Sequence, residues 1–339
     1  MKTKKIAVVG ATGMVGRTFL SVLSEKGIDV KNVTALASNQ SKGKQISFGE
    51  DDLLNVESLE NFDFTGIDIA LFSPGSEISK IYAPIAASKG CLVIDNTSYF
   101  RMDKDVPLVV PEVNPMDVFN HKKNIIANPN CSTIQMVVAL KPIDDLFDIK
   151  SVTVSTYQSV SGAGQKAMDE LFSQTRGVLV NDAIDEENSC FSKPIAFNVI
   201  PKIDDFLKDG FTKEEWKMMN ETQKIFHKNI DVVATCVRVP VFIGHSLSIN
   251  VTCDQDIDLT SLKKAIKKTK GLSLIDNIEK NHFITPIDAS GEDTVYISRL
   301  RQDPHNKKSL ALWVVADNIR KGAATNAIQI AEIYCKGKI

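Results

Sequence analysis

The stretch "KKIAVVGATGMVGRTFLSVLSEKG", residues 4–27, decides the fold of the first part of the chain. Residues 4–9 end in a short apolar run, Ile6 to Val9, that stops at a glycine, the pattern of a buried strand. The last part, "RTFLSVLSEKG", reads as a helix. Between them Gly10-Ala11-Thr12-Gly13-Met14-Val15-Gly16 fits G-x-x-G-x-x-G, a variant of the dinucleotide fingerprint in its proper setting of strand, turn and helix. Gly10 permits the tight turn. Gly13 lets a pyrophosphate approach the backbone where free N–H groups point outward, and Gly16 lets the helix pack close to the sheet. Thr12 adds a hydroxyl that can also contact phosphate. The same glycines would serve a tight turn with no ligand.

Outward from this unit, strands alternate with helices. "NVTALAS", "DIALFS" and "CLVIDN" are short apolar runs, and "SEISKIYAPIAASKG" between the last two looks helical. That order implies a parallel sheet covered on both faces. The second strand ends "ALASNQSKGK", without the Asp or Glu that holds a ribose in many NAD sites. Ser38, Ser41 and Lys42 stand there instead. Hydroxyls and a lysine suit a 2′-phosphate that a carboxylate would repel, so NADP is the expected cofactor. Otherwise the serines are turn residues and the lysine is solvated.

The pattern changes after residue 131. "STIQMVVALKPIDDLF" reads as a helix and "SVTVSTYQSVSG" alternates like a strand with one exposed face. The runs "VVATCVRVPVF", "SLSINVTC", "VYISRLRQD" and "SLALWVVAD" predict a mostly antiparallel or mixed sheet with helices on one side. "GQKAMDELFSQTRGVLV", "KEEWKMMNETQKIF" and "AATNAIQIAEIYC" read as further helices. Arg299 and Arg301 in "ISRLRQD" are expected to alternate on a strand. The fold class is therefore α/β in the first part and α+β in the second. The expected division is a nucleotide domain over 1–130, completed by a C-terminal helix 318–339, and a second domain over 131–317.

Lys plus Arg is 40 against 42 Asp plus Glu, so nothing argues for a nucleic-acid or lipid-headgroup partner. Small anionic substrates need only a few local positive groups. The six cysteines include no C-x-x-C pair, which points to a reducing compartment. The basic start "MKTKK" leads into an apolar run too short for a signal peptide. No stretch approaches the ~18–20 apolar residues of a membrane span.

A second stretch raises a chemical question: "IIANPNCSTIQMVVAL", residues 125–140. Asn128-Pro129-Asn130 breaks a strand just before Cys131, which then sits at or near a helix N-terminus, where thiolate is favoured. Cys236 and Cys253 lie inside apolar runs and read as structural. A thiolate beside a nicotinamide suggests aldehyde oxidation: the sulfur adds to the carbonyl, hydride leaves, and a thioester remains for water or phosphate to cleave. The scheme needs a base. Of five histidines, His245 stands out, following Gly244 where an apolar run breaks. A tucked loop histidine is the other reading.

In order along the chain come "GATGMVG", "SYFRMDKDVPLVVPEVN", "NPNCST", "YQSVSGAG", "NETQKI", "RVPVFIGHS" and "DNIRKGAATNA". Together, over nearly the whole length, this series resembles the aspartate-β-semialdehyde dehydrogenase family. The resemblance implies a Rossmann-like NADP-binding domain followed by a catalytic and dimerisation domain. It also implies cytoplasmic homodimers or homotetramers, with no metal, nucleic acid or membrane partner. The implied reaction is reversible, NADP-dependent, phosphorylating oxidation of L-aspartate 4-semialdehyde to 4-phospho-L-aspartate. It runs biosynthetically as the reductase, toward lysine, diaminopimelate, threonine and methionine.

On that resemblance Cys131 is the nucleophile and His245 the acid/base. Gln158 orients groups at the reacting carbon. Arg238 clamps the substrate carboxylate with a planar fork, and Glu221 holds its ammonium. Lys224, three residues on, can share one helical face with Glu221, although such a pair alone would read as solvated surface. Arg101 and Lys224 are expected to hold phosphate, and Asn130 to assist with phosphate or the oxyanion. Gly10 to Gly16, Ser38 and Ser41 serve the cofactor, with Gly162 near the nicotinamide and Asn318 near its carboxamide. Glyceraldehyde-3-phosphate dehydrogenase and N-acetyl-glutamyl-phosphate reductase share the cysteine–histidine plan. An acylated amine, however, has no use for the carboxylate of Glu221. A non-catalytic nucleotide-binding protein would not need Cys131, His245, Arg101 and Lys224 together.

Overall fold

The structure is a computed structural model and describes residues 1–180 and 189–337. They form two compact units, Met1–Asn130 with Ala323–Ile339, and Cys131–Gly322.

The first unit is built on a seven-stranded sheet. Its elements are β1 (Ile6–Val9), α1 (Met14–Glu25), β2 (Val33–Ala37), β3 (Gln45–Phe48), β4 (Asp52–Ser58), β5 (Ile69–Phe72), α2 (Ser76–Ser88), β6 (Leu92–Asp95) and β7 (Ile125–Ala127). The order is β3-β4-β2-β1-β5-β6-β7, and every pair is parallel except β3 with β4. β1, β5 and β6 are buried at every position, as continuous apolar runs require when both faces are covered. Strand order reverses at β1, so the glycine turn that follows β1 sits at the switch point where such sheets bind nucleotides. On α1, Phe19, Leu20 and Leu23 face the sheet core, and Ala327, Ile328 and Ala331 of the C-terminal helix Thr325–Lys336 join the same core. Each large apolar side chain so buried contributes roughly 1.5–3 kcal/mol.

The second unit contains α3 (Cys131–Phe147), β8 (Ile149–Gln158), α4 (Gln165–Val180), α5 (Lys213–Phe226), β9 (Asp231–Arg238), β10 (His245–Cys253), α6 (Leu259–Lys268), β11 (Leu272–Leu274), α7 (Pro286–Ala289), β12 (Val295–Gln302) and β13 (Ser309–Ala316). The six strands run β11-β12-β13-β10-β8-β9. The β12–β13, β13–β10 and β10–β8 pairs are antiparallel, and the two outer pairs are parallel. Burial alternates along β8 and β9, so one face of the sheet is covered and the other is open. The long apolar helix α3 packs on β8, β10, β12 and β13. α5 begins at a capping box, Thr212 with Glu215, which satisfies two N-terminal donors.

Arg299 and Arg301 are both exposed on β12 with Leu300 buried between them, as alternation predicts. The register shifts between Ser298 and Arg301, and Arg299 has φ 55°, so the strand also carries a bulge there. One expectation differs from the structure. The second unit runs on to Gly322 rather than ending at 317. Asp317 caps Ile319 and Arg320 with one carboxylate oxygen and accepts Gly291 N–H with the other, which ties the segment to that unit.

Candidate active site

Strand register brings three of the expected site residues to one end of the second sheet. β8 ends on Gln158 and β9 ends on Arg238, and the two are register partners. β10 starts at His245, whose next residue Ser246 pairs with Tyr157. All three side chains are buried. The backbone of Arg238 is fixed from its other side as well, exchanging both hydrogen bonds with Ile200 at 2.8 and 2.9 Å.

Arg238 Nη1 donates to the carbonyl of Ser159 at 2.7 Å. Burial pulls its pKa down from the ordinary arginine range, while the charges of Glu214 and Cys131 act to hold its proton. Glu214 accepts from Gln158 Nε2 at 3.2 Å and pairs with Lys217 at 3.2 Å. Its carboxylate therefore orients the glutamine and balances the arginine.

His245 is fully buried and bonded at one ring nitrogen. Its Nδ1 accepts the backbone N–H of Ser159 at 3.0 Å, with Ser159 Oγ also at 3.0 Å. Its Nε2 is buried and has no hydrogen-bond partner among the described residues. Its carbonyl accepts from Gln135 Nε2 of α3 at 3.3 Å. Burial drives its pKa well below the ordinary histidine value, and the charge of Arg238 pushes the same way. A contact with the Gly244 backbone opposes them weakly. Gly244 has φ 95°, and a Cβ there would lie 3.0 Å from Pro286. The turn that presents His245 therefore requires glycine.

Asn318 supports this turn. Its Oδ1 accepts from Gly244 N–H at 2.9 Å, Ser159 Oγ at 3.1 Å and Ser161 Oγ at 3.2 Å, and its Nδ2 donates to Ser161 Oγ at 3.0 Å. Gly162 lies over the same cluster: a Cβ there would come within 2.8 Å of Arg238 Nη1 and 3.2 Å of His245 Nε2.

Cys131 opens the 17-residue helix α3, which has no acidic residue in its first turn. Its sulfur interacts electrostatically with Arg238, and Gly322 packs directly against it. The other core cysteines are buried where Cys131 is half-buried. Burial raises the thiol pKa of Cys91 and Cys253 to about 12 and raises that of Cys236 further, so they are inert at neutral pH. Glu221 and Lys224 lie on α5, Glu221 buried and Lys224 half-buried, so they are not a solvated surface pair.

In the first unit, the segment before Cys131 is anchored at Asn128. Its N–H donates to Asp95 O at 2.8 Å, and its Nδ2 donates to Asn96 Oδ1 at 2.7 Å and Ala323 O at 3.2 Å. Its Oδ1 accepts from Asn326 at 2.7 Å. Arg101 is buried and donates to Asn128 O at 3.0 Å and Asn96 O at 2.9 Å. Asp95 is fully buried and satisfied by Ser79 Oγ, Thr97 N–H and Thr97 Oγ1. Burial nevertheless raises its pKa above the usual carboxylate range. This loop fixes the arginine. Asn130 is buried at the end of the same segment.

The glycine turn fits a dinucleotide. Gly10 has φ 84°, and a Cβ there would stand 2.7 Å from Ser73 O; at Gly16 one would stand 2.1 Å from Gly10 O. Gly13 is the N-cap of α1 and no side chain caps the helix, so the N–H groups of Met14, Val15 and Gly16 are left for an anionic group. Ser38 follows β2, and Ser41 ends the short turn Asn39–Ser41. Asn39 hydrogen-bonds to the exposed Glu60, a carboxylate near this turn that linear reading does not reveal.

A family model described as semialdehyde dehydrogenase, NAD binding domain, matches residues 5–121, and one described as semialdehyde dehydrogenase, dimerisation domain, matches residues 140–321. The aspartate-semialdehyde dehydrogenase of Aquifex aeolicus (strain VF5) is 53% identical over 335 residues, 98% of each chain. The chain belongs to the semialdehyde dehydrogenase family. A Vibrio cholerae relative, aspartate-semialdehyde dehydrogenase 2, is 50% identical over 98% of this chain and 97% of its own. The crystal structure of aspartate semialdehyde dehydrogenase II from Vibrio cholerae complexed with ASA superposes with a TM-score of 0.94, at 49% identity and 98% coverage of each chain. The aspartate semialdehyde dehydrogenase with NADP from Candida albicans has a TM-score of 0.73, at 25% identity and 98% coverage of each chain.

Within this semialdehyde dehydrogenase scaffold, the second unit gathers Gln158, Arg238, His245, Gly162 and Asn318. It brings Cys131 into electrostatic reach of Arg238. The first unit gathers Arg101 with the Asn128 segment, and separately the glycine turn. Ser159, Glu214 and Gln135 were not anticipated. Ser159 lies inside a quoted motif, but one serine of "YQSVSGAG" looks like another until the ring of His245 is seen against it. Glu214, in "TKEEW", reads as an ordinary helix-start charge.

Proposed function

We propose that the protein is an aspartate-semialdehyde dehydrogenase. It catalyses the reversible NADP-dependent, phosphorylating oxidation of L-aspartate 4-semialdehyde to 4-phospho-L-aspartate and works biosynthetically as the reductase. The observation that carries this reading is the full-length identity of about half to aspartate-semialdehyde dehydrogenases. The strand-edge cluster of Gln158, Arg238 and His245 supports it.

Cys131 is the proposed nucleophile, forming a thioester with the substrate carbonyl carbon. Arg238, held through Nη1, offers the rest of its fork to the substrate carboxylate. Glu221, a buried carboxylate on α5, takes the ammonium. Fixing both ends of a small amino acid sets its carbonyl carbon in place. Gln158, oriented by Glu214, lies next to Arg238 and steadies groups at the reacting carbon. His245 serves the carbonyl oxygen. Arg101 is the proposed phosphate ligand of the first unit and Lys224 that of the second, with Asn130 assisting.

NADP, when bound, supplies hydride transfer. Gly10, Thr12, Gly13, Met14, Val15 and Gly16 would hold its pyrophosphate, and Ser38 and Ser41 its 2′-phosphate. Gly162 would border the nicotinamide. Asn318 was expected at the carboxamide, but its side-chain groups are already engaged with Gly244, Ser159 and Ser161, which favours a supporting role. We further propose a homodimer formed through residues 140–321 and a cytoplasmic setting, where a thiol nucleophile stays reduced.

The test is NADPH formation from L-aspartate semialdehyde with and without phosphate. Phosphate-dependent formation is expected. Its absence with a folded, nucleotide-bound enzyme would reject the reading.

A further inference from the structure

We infer that Glu60 is a specificity-determining residue of the cofactor site. Its carboxylate, held by Asn39 beside the turn that follows β2, grips the adenosine ribose of an unphosphorylated dinucleotide and weakens the hold on a 2′-phosphate, so that the chain takes NAD(H) as well as NADP(H). The inference rests on the proposed reading of the glycine turn, Ser38 and Ser41 as the NADP site.

The sheet topology places this carboxylate. β1, β2 and β4 lie side by side and parallel, so all three end at the same edge. At β1 that edge carries the glycine turn, whose Gly10 and Ala11 N–H groups donate to Leu36 O of β2 at 2.9 and 3.0 Å. A dinucleotide with its pyrophosphate at the start of α1 lays its adenosine half over the end of β2. Beyond β2 the next strand end is that of β4.

Ala37 and Ser58 are register partners at the ends of β2 and β4. Asn39 stands two residues past the first and Glu60 two past the second, and Asn39 Nδ2 donates to Glu60 Oε2 across the two turns. Neighbouring strands are only about 4.8 Å apart. The carboxylate is therefore fixed where NAD sites bring an acid from the end of their second strand. Here it arrives from the adjacent strand instead.

The surrounding groups hold a 2′-phosphate only weakly. Residues 38–44 contain no arginine, and their two cations, Lys42 and Lys44, are exposed. A lysine attracts phosphate as a flexible point charge rather than as a fork, and Glu60 at the same edge opposes it. The Ser38 and Ser41 hydroxyls can donate to a phosphate or accept from a ribose with equal ease. Glu60 keeps acceptor sites beyond the one that Asn39 uses, and a free ribose offers two O–H donors to them. A 2′-phosphate removes one of those donors and sets like charges together.

A further polar group is left over at this edge. Ser58 is 6% exposed, and its hydroxyl has no hydrogen-bond partner among the described residues. Buried polar groups are almost always paired, so this hydroxyl marks the end of β4, and not of β2 alone, as a contact for a ligand.

The experiment titrates the full chain with NADPH and with NADH, without substrate, and follows nicotinamide fluorescence. The quantity read is the ratio of the two dissociation constants. Glu60→Gln removes the charge, while its amide oxygen can still accept from Asn39. It is expected to tighten NADPH and loosen NADH, moving the ratio toward NADPH by about threefold or more. Asn39→Ala releases the carboxylate into solvent and is expected to move the ratio the same way. A shift of less than about threefold in Glu60→Gln, a shift toward NADH, or a wild-type chain that does not bind NADH at all would overturn the inference. Because no semialdehyde is present, such a result would leave the proposed reaction untouched. Conversely, a chain that shows the expected shift but does not oxidise the semialdehyde would reject the reaction and leave the inference standing.

Discussion

Gly322 is packed against Cys131 so closely that a Cβ on the glycine would lie 3.0 Å from Cys131 Cβ and 3.4 Å from its Cα. Cys131 therefore rests on bare backbone. Gly322→Ala is expected to shift the sulfur by a few tenths of an ångström and to reduce turnover by about 10-fold or more, since small misplacements at a reacting atom are costly. Steady-state kinetics beside a thermal melt would check this. Normal turnover in a folded variant would show that the contact does not position the sulfur.

Cys131→Ala is expected to abolish turnover while NADP binding persists. Alkylation of the native wild-type chain at neutral pH should modify Cys131 and spare Cys91, Cys236 and Cys253, which are buried with raised pKa values. Peptide mapping by mass spectrometry reads both outcomes. Retained turnover in the alanine variant would remove the sulfur from the mechanism.

Two of the turn glycines should separate by role. Gly16→Ala drives a Cβ to 2.1 Å from Gly10 O and is expected to cost about 1–3 kcal/mol of stability. Gly13→Ala, at φ −75° with its nearest contact 3.3 Å away, should fold with a change of under about 1 kcal/mol but bind NADP more weakly. Denaturant melts and nucleotide titration distinguish them. Equal nucleotide affinity in Gly13→Ala would argue against backbone contact at that position.

Arg101→Lys removes a planar fork whose Nε and Nη2 are fastened to Asn128 O and Asn96 O. A lysine cannot make both bonds and still offer a charge from a fixed position. The KM for phosphate is expected to rise about tenfold, with a smaller effect on semialdehyde KM. An unchanged phosphate KM would move the phosphate site elsewhere.

The buried histidine also predicts a pH dependence of stability. Unfolded, His245 takes up a proton near 6.5; folded, burial and then Arg238 keep it neutral well below that. The unfolded chain binds the extra proton, so stability should fall as pH drops below 6.5, by up to ~1.4 kcal/mol per pH unit. His121, also lowered by burial, adds in the same direction. The informative quantity is the difference between wild type and His245→Gln, with a shallower slope expected in the variant. Identical slopes would mean that the ring is protonated in the native state.

Local patterns were enough for the elements flanking the glycine turn, because a strand buried on both faces is a continuous apolar run and its helix starts at a glycine. α5 was legible in "KEEWKMMNETQKIF". The pairing of Gln158 with Arg238 was not legible, because parallel register between β8 and β9 is set by long-range packing. The bulge at Arg299 was hidden for the same reason. Asp95 was only loosely placed beside the cofactor; its burial under Ser79 and Thr97 depends on α2 meeting the loop that follows β6. The network around Asn318 joins residues 157 and 159 positions apart, beyond any local window.

That separation has a consequence for synthesis. Cys131 leaves the ribosome early, while the brace on the turn before His245 is complete only after Asn318 has followed, more than half the chain length later. Contacts of such long sequence separation form late. A nascent chain therefore carries a thiol without its finished surroundings, and recovery of turnover after refolding should lag behind the return of helical signal.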